Sequence, residues 1–471
     1  MGILESNILK FIENTENDRT INLKSFMMIK DGNTLFRFSK KPYKFEDKQL
    51  LFSVTKSITS IGIGIASDKG YLNLDDKVLK YLDNSNLYSF SSGVDKVRIK
   101  DLLTMSSGLK DDKLFEILYK KDWVKEFLNL DFVEKVGTHY YYSTLGSHML
   151  SVILKKATDV DLADFIYENL FKPLNINNFE WGKSPDGYSL GGMGLSLSIE
   201  DMSKIGVMLL NKGIYNGKRI LSEKYVNNAT STNIVKQDDK KQLKHSFSGD
   251  GYGYQIHIGK NGYYRLDGAF GQICLVVPDK NIVISATSTL TRVENLLKYI
   301  YENLLSEDNF LNKSHFINIQ NVLDDKIKTL HYDLPEFFDI PKGFKKFNNA
   351  TYKLDENVNL VDKITLNSTD NGLDFKVKLT DVTNYLSSFS FDKPIESSGV
   401  FMKDSFYEEQ KYMSFAKWIS PNELKLFIYY LETPYIMKYK LKFEEDRVDI
   451  RFFINCSFTI KNIEVLGKLV K

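Results

Sequence analysis

Phe52-Ser53-Val54-Thr55-Lys56-Ser57 leads into an apolar run of Ile58, Ile61, Gly62, Ile63, Gly64, Ile65 and Ala66, with Leu51 and Phe52 just ahead of it. The run predicts a buried helix that starts at Ser53. Residues three apart share a helix face, so the Ser53 hydroxyl and the Lys56 amine can meet. A lysine kept neutral by burial can take the serine proton and create a nucleophile. The helix start adds unpaired N–H groups and a positive dipole end, which suit an oxyanion. Two glycines inside the helix cost about 1 kcal/mol each relative to alanine, so Gly62 and Gly64 imply close packing.

Ser-x-x-Lys spacing occurs four times, at Ser53/Lys56, Ser107/Lys110, Ser390/Lys393 and Ser414/Lys417. Context separates the first. Ser107 precedes Gly108 at an apparent helix end, and the last two fall among short β-like segments.

At 471 residues the chain is expected to form two or three domains. A hydrophobic fraction of 42%, an aromatic fraction of 13% and a net charge of +2 support sizeable cores and give no general reason to invoke nucleic acid. Cys274 and Cys456 lie in apolar strand-like segments and read as buried thiols. The six histidines show no metal-ligand spacing, and acyl transfer through a serine needs neither metal nor organic cofactor, so none is expected. The acidic, amphipathic start lacks the features of a signal peptide, and no run approaches the length of a membrane span. A cytoplasmic protein without membrane association is the expectation. Met1-Gly2 with Ser6 formally fits a myristoylation pattern, which a tag remnant or coincidence explains as easily.

A helix over 4–13 and strands over 25–30 and 34–39, joined by Asp31-Gly32-Asn33, open the chain. Helices follow near 100–105, 112–129, 144–157, 161–170 and 199–212. Strands are expected over 252–258, 262–266, 272–278 and 281–287, then a helix over 293–305. Strands at both ends with helices between imply one sheet built from distant segments. Period-two alternation at 373–379, 435–443 and 448–452 predicts a small antiparallel barrel or sandwich. The expected domains are 1–308, a linker over 309–344, and 345–471.

Gly137-Thr138-His139-Tyr140-Tyr141-Tyr142-Ser143-Thr144 enters a helix, and a tyrosine beside a lysine can have a lowered phenol pKa and pass protons. The plain alternative is an aromatic core cluster. Tyr264-Arg265-Leu266-Asp267-Gly268-Ala269-Phe270-Gly271-Gln272 precedes a buried strand, and its glycines would let a substrate approach the backbone. The plain alternative is a strand–turn–strand.

Together these segments resemble the serine hydrolase superfamily of class C β-lactamases, D,D-peptidases, esterases and 6-aminohexanoate-dimer hydrolases. Gly70-Tyr71-Leu72-Asn73-Leu74-Asp75-Asp76, Asp101-Leu102-Leu103-Thr104-Met105-Ser106-Ser107-Gly108-Leu109, and Gly191-Gly192-Met193-Gly194-Leu195 with Asp201 are similar to further family segments, in order, over roughly 20–305. The resemblance implies an α/β fold, with an antiparallel sheet flanked by helices, an all-helical insertion and a C-terminal β-barrel-like domain.

It also implies Ser53 as nucleophile, Lys56 as its base or base partner and Tyr142 as the tyrosine of the Tyr-x-Asn element. The backbone N–H groups of Ser53 and Ala269 would form the oxyanion hole. Thr144 takes the Asn slot, and Leu266-Asp267-Gly268 takes the Lys-Thr-Gly slot; these residues would line the substrate site. Leucine cannot hold a substrate carboxylate and Asp267 would repel one, so an uncharged small ester or amide is expected. Arg265 shares a strand side with Asp267. The Gly-Ala-Phe-Gly-Gln run is more similar to the esterase and 6-aminohexanoate-dimer hydrolase branch. The alternatives are a D,D-peptidase or β-lactamase-like enzyme, and a non-catalytic binding or sensor protein. A small molecule is the expected partner, with a homodimer possible.

Overall fold

The computed structural model describes residues 5–82, 90–236, 247–290, 292–306, 319–332, 340–381, 384–404 and 406–470. The myristoylation pattern at Met1-Gly2 and much of the 309–344 linker lie outside them. The chain divides into two compact units: Met1–Ser39 with Lys44–Thr329, and Lys40–Tyr43 with Leu330–Lys471. Inside the stretch read as a linker, a helix spans Ile319–Lys328.

The first unit holds an eight-stranded sheet of β1 (Leu23–Lys30), β2 (Asn33–Ser39), β3 (Ile234–Val235), β4 (Gly251–Tyr252), β5 (His257–Ile258), β6 (Tyr264–Gly268), β7 (Gln272–Val277) and β8 (Ile282–Ser288). Its order is β2-β1-β8-β7-β6-β5-β4-β3 with every described pairing antiparallel, so the two ends of this unit meet at the β1–β8 pairing. Asp31 (φ 51°) and Gly32 (φ 79°) make the tight β1–β2 turn, with positive φ at both central positions.

Both sheet faces are covered. Phe26 on β1 points to α1 (Glu5–Asn17), its ring centroid 4.7 Å from Phe11, 5.3 Å from Phe36 and 5.8 Å from Phe38. On the other face, the Ser285 hydroxyl of β8 lies 2.8 Å from that of Ser203 on the helix Ile199–Leu210. The insertion between β2 and β3 is mainly helical. Its central α2 (Val54–Asp68) is buried on almost every side, and its buried polar residues Thr55, Lys56, Ser57, Thr59 and Ser60 are each hydrogen-bonded. Gly62 and Gly64 have the packing reason expected of them: a Cβ would come within 3.0 Å of Ile166 Cδ1 and 2.7 Å of Tyr225 Cδ1 respectively.

Two elements differ from the sequence expectation. The 252–258 strand is split into β4 and β5 because Gln255 takes φ 58°. Its side-chain amide donates to Leu102 O and Leu103 O and accepts from Ser147. The 112–129 helix is two short ones, Leu114–Ile117 and α3 (Trp123–Leu128), since Asp122 caps the second through Lys125 N.

In the second unit ten antiparallel strands, β9 to β18, run Ala350–Leu354, Val361–Thr369, Gly372–Leu379, Asn384–Ser390, Ile395–Lys403, Phe406–Ser420, Glu423–Tyr430, Ile436–Glu444, Arg447–Ile454 and Ile463–Leu469. Their order is β12-β11-β10-β9-β18-β17-β16-β15-β14-β13. Edge strand β12 reaches back to β14, where Ser414 Oγ donates to Ser388 O at 2.6 Å and Ser388 N donates to Tyr412 Oη at 3.1 Å. The sheet therefore curls into a nearly closed barrel.

Phe26→Ala removes a fully buried ring and is expected to destabilise the first unit by about 3–5 kcal/mol. Urea titration followed by far-ultraviolet circular dichroism measures it; a loss below about 1 kcal/mol would contradict this packing.

Candidate active site

The turn ahead of α2 positions Ser53. Leu51 N donates to Leu195 O at 2.8 Å, and Phe52 sits at φ 48°, unusual for a bulky side chain and common where function holds strain. The Thr55 hydroxyl donates to Phe52 O at 2.6 Å and braces this turn. Ser53 occupies the cap position of α2, yet its side chain makes no cap hydrogen bond. Its hydroxyl meets Lys56 instead: Lys56 Nζ lies 3.0 Å from Ser53 Oγ.

Lys56 is 1% exposed, and its amine also donates to Gly192 O at 2.7 Å. A buried amine costs free energy unless such acceptors surround it. Gly192 can lie this close because it has no Cβ; one placed there would come within 2.6 Å of Thr144 O.

Tyr142 completes the group. Lys56 Nζ stands 4.9 Å from the centre of its ring. Although 36% of the residue is exposed, burial of the phenol raises its pKa, Asp267 and Asp112 raise it further, and the Ser53 contact opposes them. This corrects the expectation of a lowered phenol pKa, because burial is the largest influence on this phenol. Tyr142 is held through the start of α4 (Thr144–Thr158), where Asp112 Oδ2 accepts from Thr144 N at 2.8 Å and Leu145 N at 3.4 Å. Thr144, expected to face substrate, thus sits on the helix start beside Gly192.

The Lys-Thr-Gly slot lies at the end of β6. The Leu266 side chain is fully buried and offers a ligand no surface. Asp267 does share a side with Arg265, and the two pair, Nε to Oδ2 at 2.8 Å, while Arg265 Nη1 donates to Ser248 O at 2.9 Å. Gly268 lies against the turn before Ser53, where a Cβ would fall 2.2 Å from Leu51 O. This close approach sets Ala269, the next residue, near the Ser53 turn. Phe270 then takes φ 61°, and its ring meets that of Phe52 edge-on at 5.3 Å.

Sequence reasoning missed a basic cluster beside this group. His257 on β5 is cross-strand to Arg265, with its ring centre 6.4 Å from that of Tyr142. Lys236 Nζ lies 3.4 Å from His257 Nδ1. Burial, with Arg265 adding, pushes the Lys236 amine down to about 8. Burial and the cations Lys236, Arg265 and Lys56 hold His257 well below its ordinary range, so it is neutral. No motif marks these residues; only the pairing of β3, β4, β5 and β6 brings them together. Among the described residues, no cluster of three or more His, Cys, Asp or Glu could hold a metal ion, and no helix is long and apolar enough to cross a membrane.

A family model described as Beta-lactamase matches residues 19–304. An uncharacterised protein of Alkalihalophilus pseudofirmus is 26% identical over 268 residues, 50% of this chain and 73% of that one. Penicillin-binding protein 4* of Bacillus subtilis is 30% identical over 148 residues, 29% of this chain and 31% of its own length. The match therefore reaches less than a third of that relative. Among solved structures, a family VIII carboxylesterase aligns with a TM-score of 0.51 at 15% identity, over 64% of this chain and 99% of its own. That similarity is one of fold.

Because the Tyr142 phenol is shifted upward, it stays protonated at neutral pH. Ultraviolet phenolate titrations of wild type and Tyr142→Phe are expected to coincide up to about pH 10. Extra phenolate in wild type near pH 7 would show that the tyrosine rests ionised.

Proposed function

The chain belongs to the beta-lactamase family, and on that premise we propose that it is a serine hydrolase that forms an acyl-enzyme on Ser53 with small, uncharged esters or amides. The observation that carries this reading is the Ser53–Lys56 contact of 3.0 Å, made by a lysine that is 1% exposed and anchored to Gly192 O. A neutral amine can keep one N–H on Gly192 O and turn its lone pair to the Ser53 hydroxyl. It takes that proton as Oγ attacks the substrate carbonyl. The oxyanion forms between the backbone N–H groups of Ser53 and Ala269, and each such donor is worth ~10²–10³ in rate. Tyr142, protonated at neutral pH, gives its proton to the leaving oxygen or nitrogen and recovers one from Lys56. Water then attacks the ester on Ser53 and releases the acid.

The uncharged substrate follows from the Lys-Thr-Gly slot. Leu266 presents no cation, and Arg265 is committed to Asp267 and Ser248 O. A D,D-peptidase or β-lactamase-like reading has one observation in its favour: Lys236, a buried cation next to His257. It would serve a substrate carboxylate if it reached the cleft.

Intact mass after treatment with a fluorophosphonate is expected to show one adduct on wild type and none on Ser53→Ala. An unlabelled, folded wild type would favour a non-catalytic binding protein. Nitrophenyl acetate should turn over while a fluorescent penicillin labels weakly. Strong penicillin labelling that falls at least tenfold in Lys236→Met would instead support the carboxylate-recognising reading.

A further inference from the structure

Gly191 and Gly192 thread between α2 and α4 so closely that neither tolerates a side chain. A Cβ on Gly191 would lie 2.5 Å from Ser147 O and 3.0 Å from His148 Cα, and one on Gly192 would lie 2.6 Å from Thr144 O. Three hydrogen bonds hold this strap. Gly191 N donates to His148 Nδ1 at 3.3 Å, Gly191 O accepts from the Thr59 hydroxyl at 2.7 Å, and Gly192 O accepts from Lys56 Nζ at 2.7 Å. Two of these three partners, Thr59 and Lys56, lie on α2, and the third lies on α4.

His148 is 1% exposed and Trp123 of α3 is fully buried. Their rings meet edge-on at 5.0 Å and 73°. An Nδ1 that accepts from an amide places the ring proton on Nε2, and neither His148 Nε2 nor Trp123 Nε1 has a hydrogen-bond partner among the described residues. The edge-on packing suits a weak N–H···π contact. Burial pushes the imidazole down to about 3, against an opposing pull from Asp161, so it is a neutral acceptor throughout the working pH range. Asp161 itself is occupied by Ser189, accepting from both its backbone N and its hydroxyl.

We propose that His148 is a positioning residue for the nucleophile pair: its Nδ1 fixes the Gly191–Gly192 strap, whose carbonyl in turn holds the Lys56 amine against Ser53. The role rests on the proposed Ser53 chemistry. It differs from a packing role in requiring an acceptor atom at Nδ1, which any residue merely filling the space would lack. With that acceptor removed, Gly191 N–H is left buried and unpaired, and the strap shifts to satisfy it. Small misplacements of such a group reduce reaction rates by up to ~10² without loss of binding.

The test compares His148→Leu, which removes the acceptor, with His148→Asn, whose amide oxygen can stand at the Nδ1 position. His148→Leu is expected to slow fluorophosphonate labelling about 10- to 100-fold and to lower kcat for a neutral ester, with KM changed less than about twofold. His148→Asn should recover most of that loss. Wild-type rates in folded His148→Leu, or equal losses in both variants, would overturn the proposal. Should His148→Leu not fold, nitrogen NMR of ¹⁵N-histidine-labelled wild type decides: a neutral ring protonated on Nε2 is expected, and a ring protonated on Nδ1 overturns the role. Wild type that resists the probe refutes the Ser53 chemistry instead, and the NMR result still stands for the strap.

Discussion

A primary amine in a dry interior must have acceptors around it, and Lys56 imposes that constraint on the whole first unit. At 1% exposure its Nζ cannot rely on water, so a backbone carbonyl from far along the chain, Gly192 O, is brought to 2.7 Å. That approach excludes a side chain at Gly192, because Thr144 O already fills the space a Cβ would take. Thr144 is fixed in turn as the start of α4, held by Asp112, and the same helix start carries Tyr142. One desolvated amine thereby ties α2, the glycine strap and α4 into a single arrangement.

The second constraint is conformational. Phe52 and Phe270 both take left-handed backbone conformations, at φ 48° and 61°, and both are bulky. Such residues are strained unless their surroundings over-determine them. Each adjoins a residue whose N–H is proposed for the oxyanion hole, Ser53 after Phe52 and Ala269 before Phe270. Their edge-on rings, 5.3 Å apart, lock the two turns to one another, and Gly268 closes the gap by lying against Leu51 O. The position of two backbone N–H groups is thus set by an aromatic contact that neither group makes itself.

Local patterns were legible. Ser53 and Lys56 lie three residues apart on one helix, so spacing alone brings them together, and the Asp31-Gly32 turn is a chemical signature of its own. The barrel strands announce themselves by alternation. Tyr142 is legible only through the family segments, since three adjacent tyrosines give no reason to choose one. Contacts across distant segments were not legible. Lys56 and Gly192 are 136 positions apart, and Lys236 and His257 meet through strand pairing. The split at Gln255 escapes propensity for the same reason, because its positive φ is supported by carbonyls at Leu102 and Leu103.

In the proposed reaction, charge and burial bear on how Tyr142 and Lys56 would divide the proton work. Burial is the largest influence on the Tyr142 phenol, the Ser53 contact works against it, and Asp267 and Asp112 add to the burial in opposing ionisation. Arg265 is paired to Asp267 at 2.8 Å, which offsets the cation nearest the strand. Lys236, pushed down to about 8 by burial, is still a cation at neutral pH. Desolvation, the largest influence, favours the neutral phenol. A neutral phenol beside a lysine that has just accepted the serine proton is suited to protonating a leaving group, then drawing a proton back from that lysine. In the proposed reaction the buried Arg265–Asp267 pair occupies a cation that a substrate carboxylate would otherwise meet, and the Asp267 charge adds to the burial that favours the acid form of Tyr142.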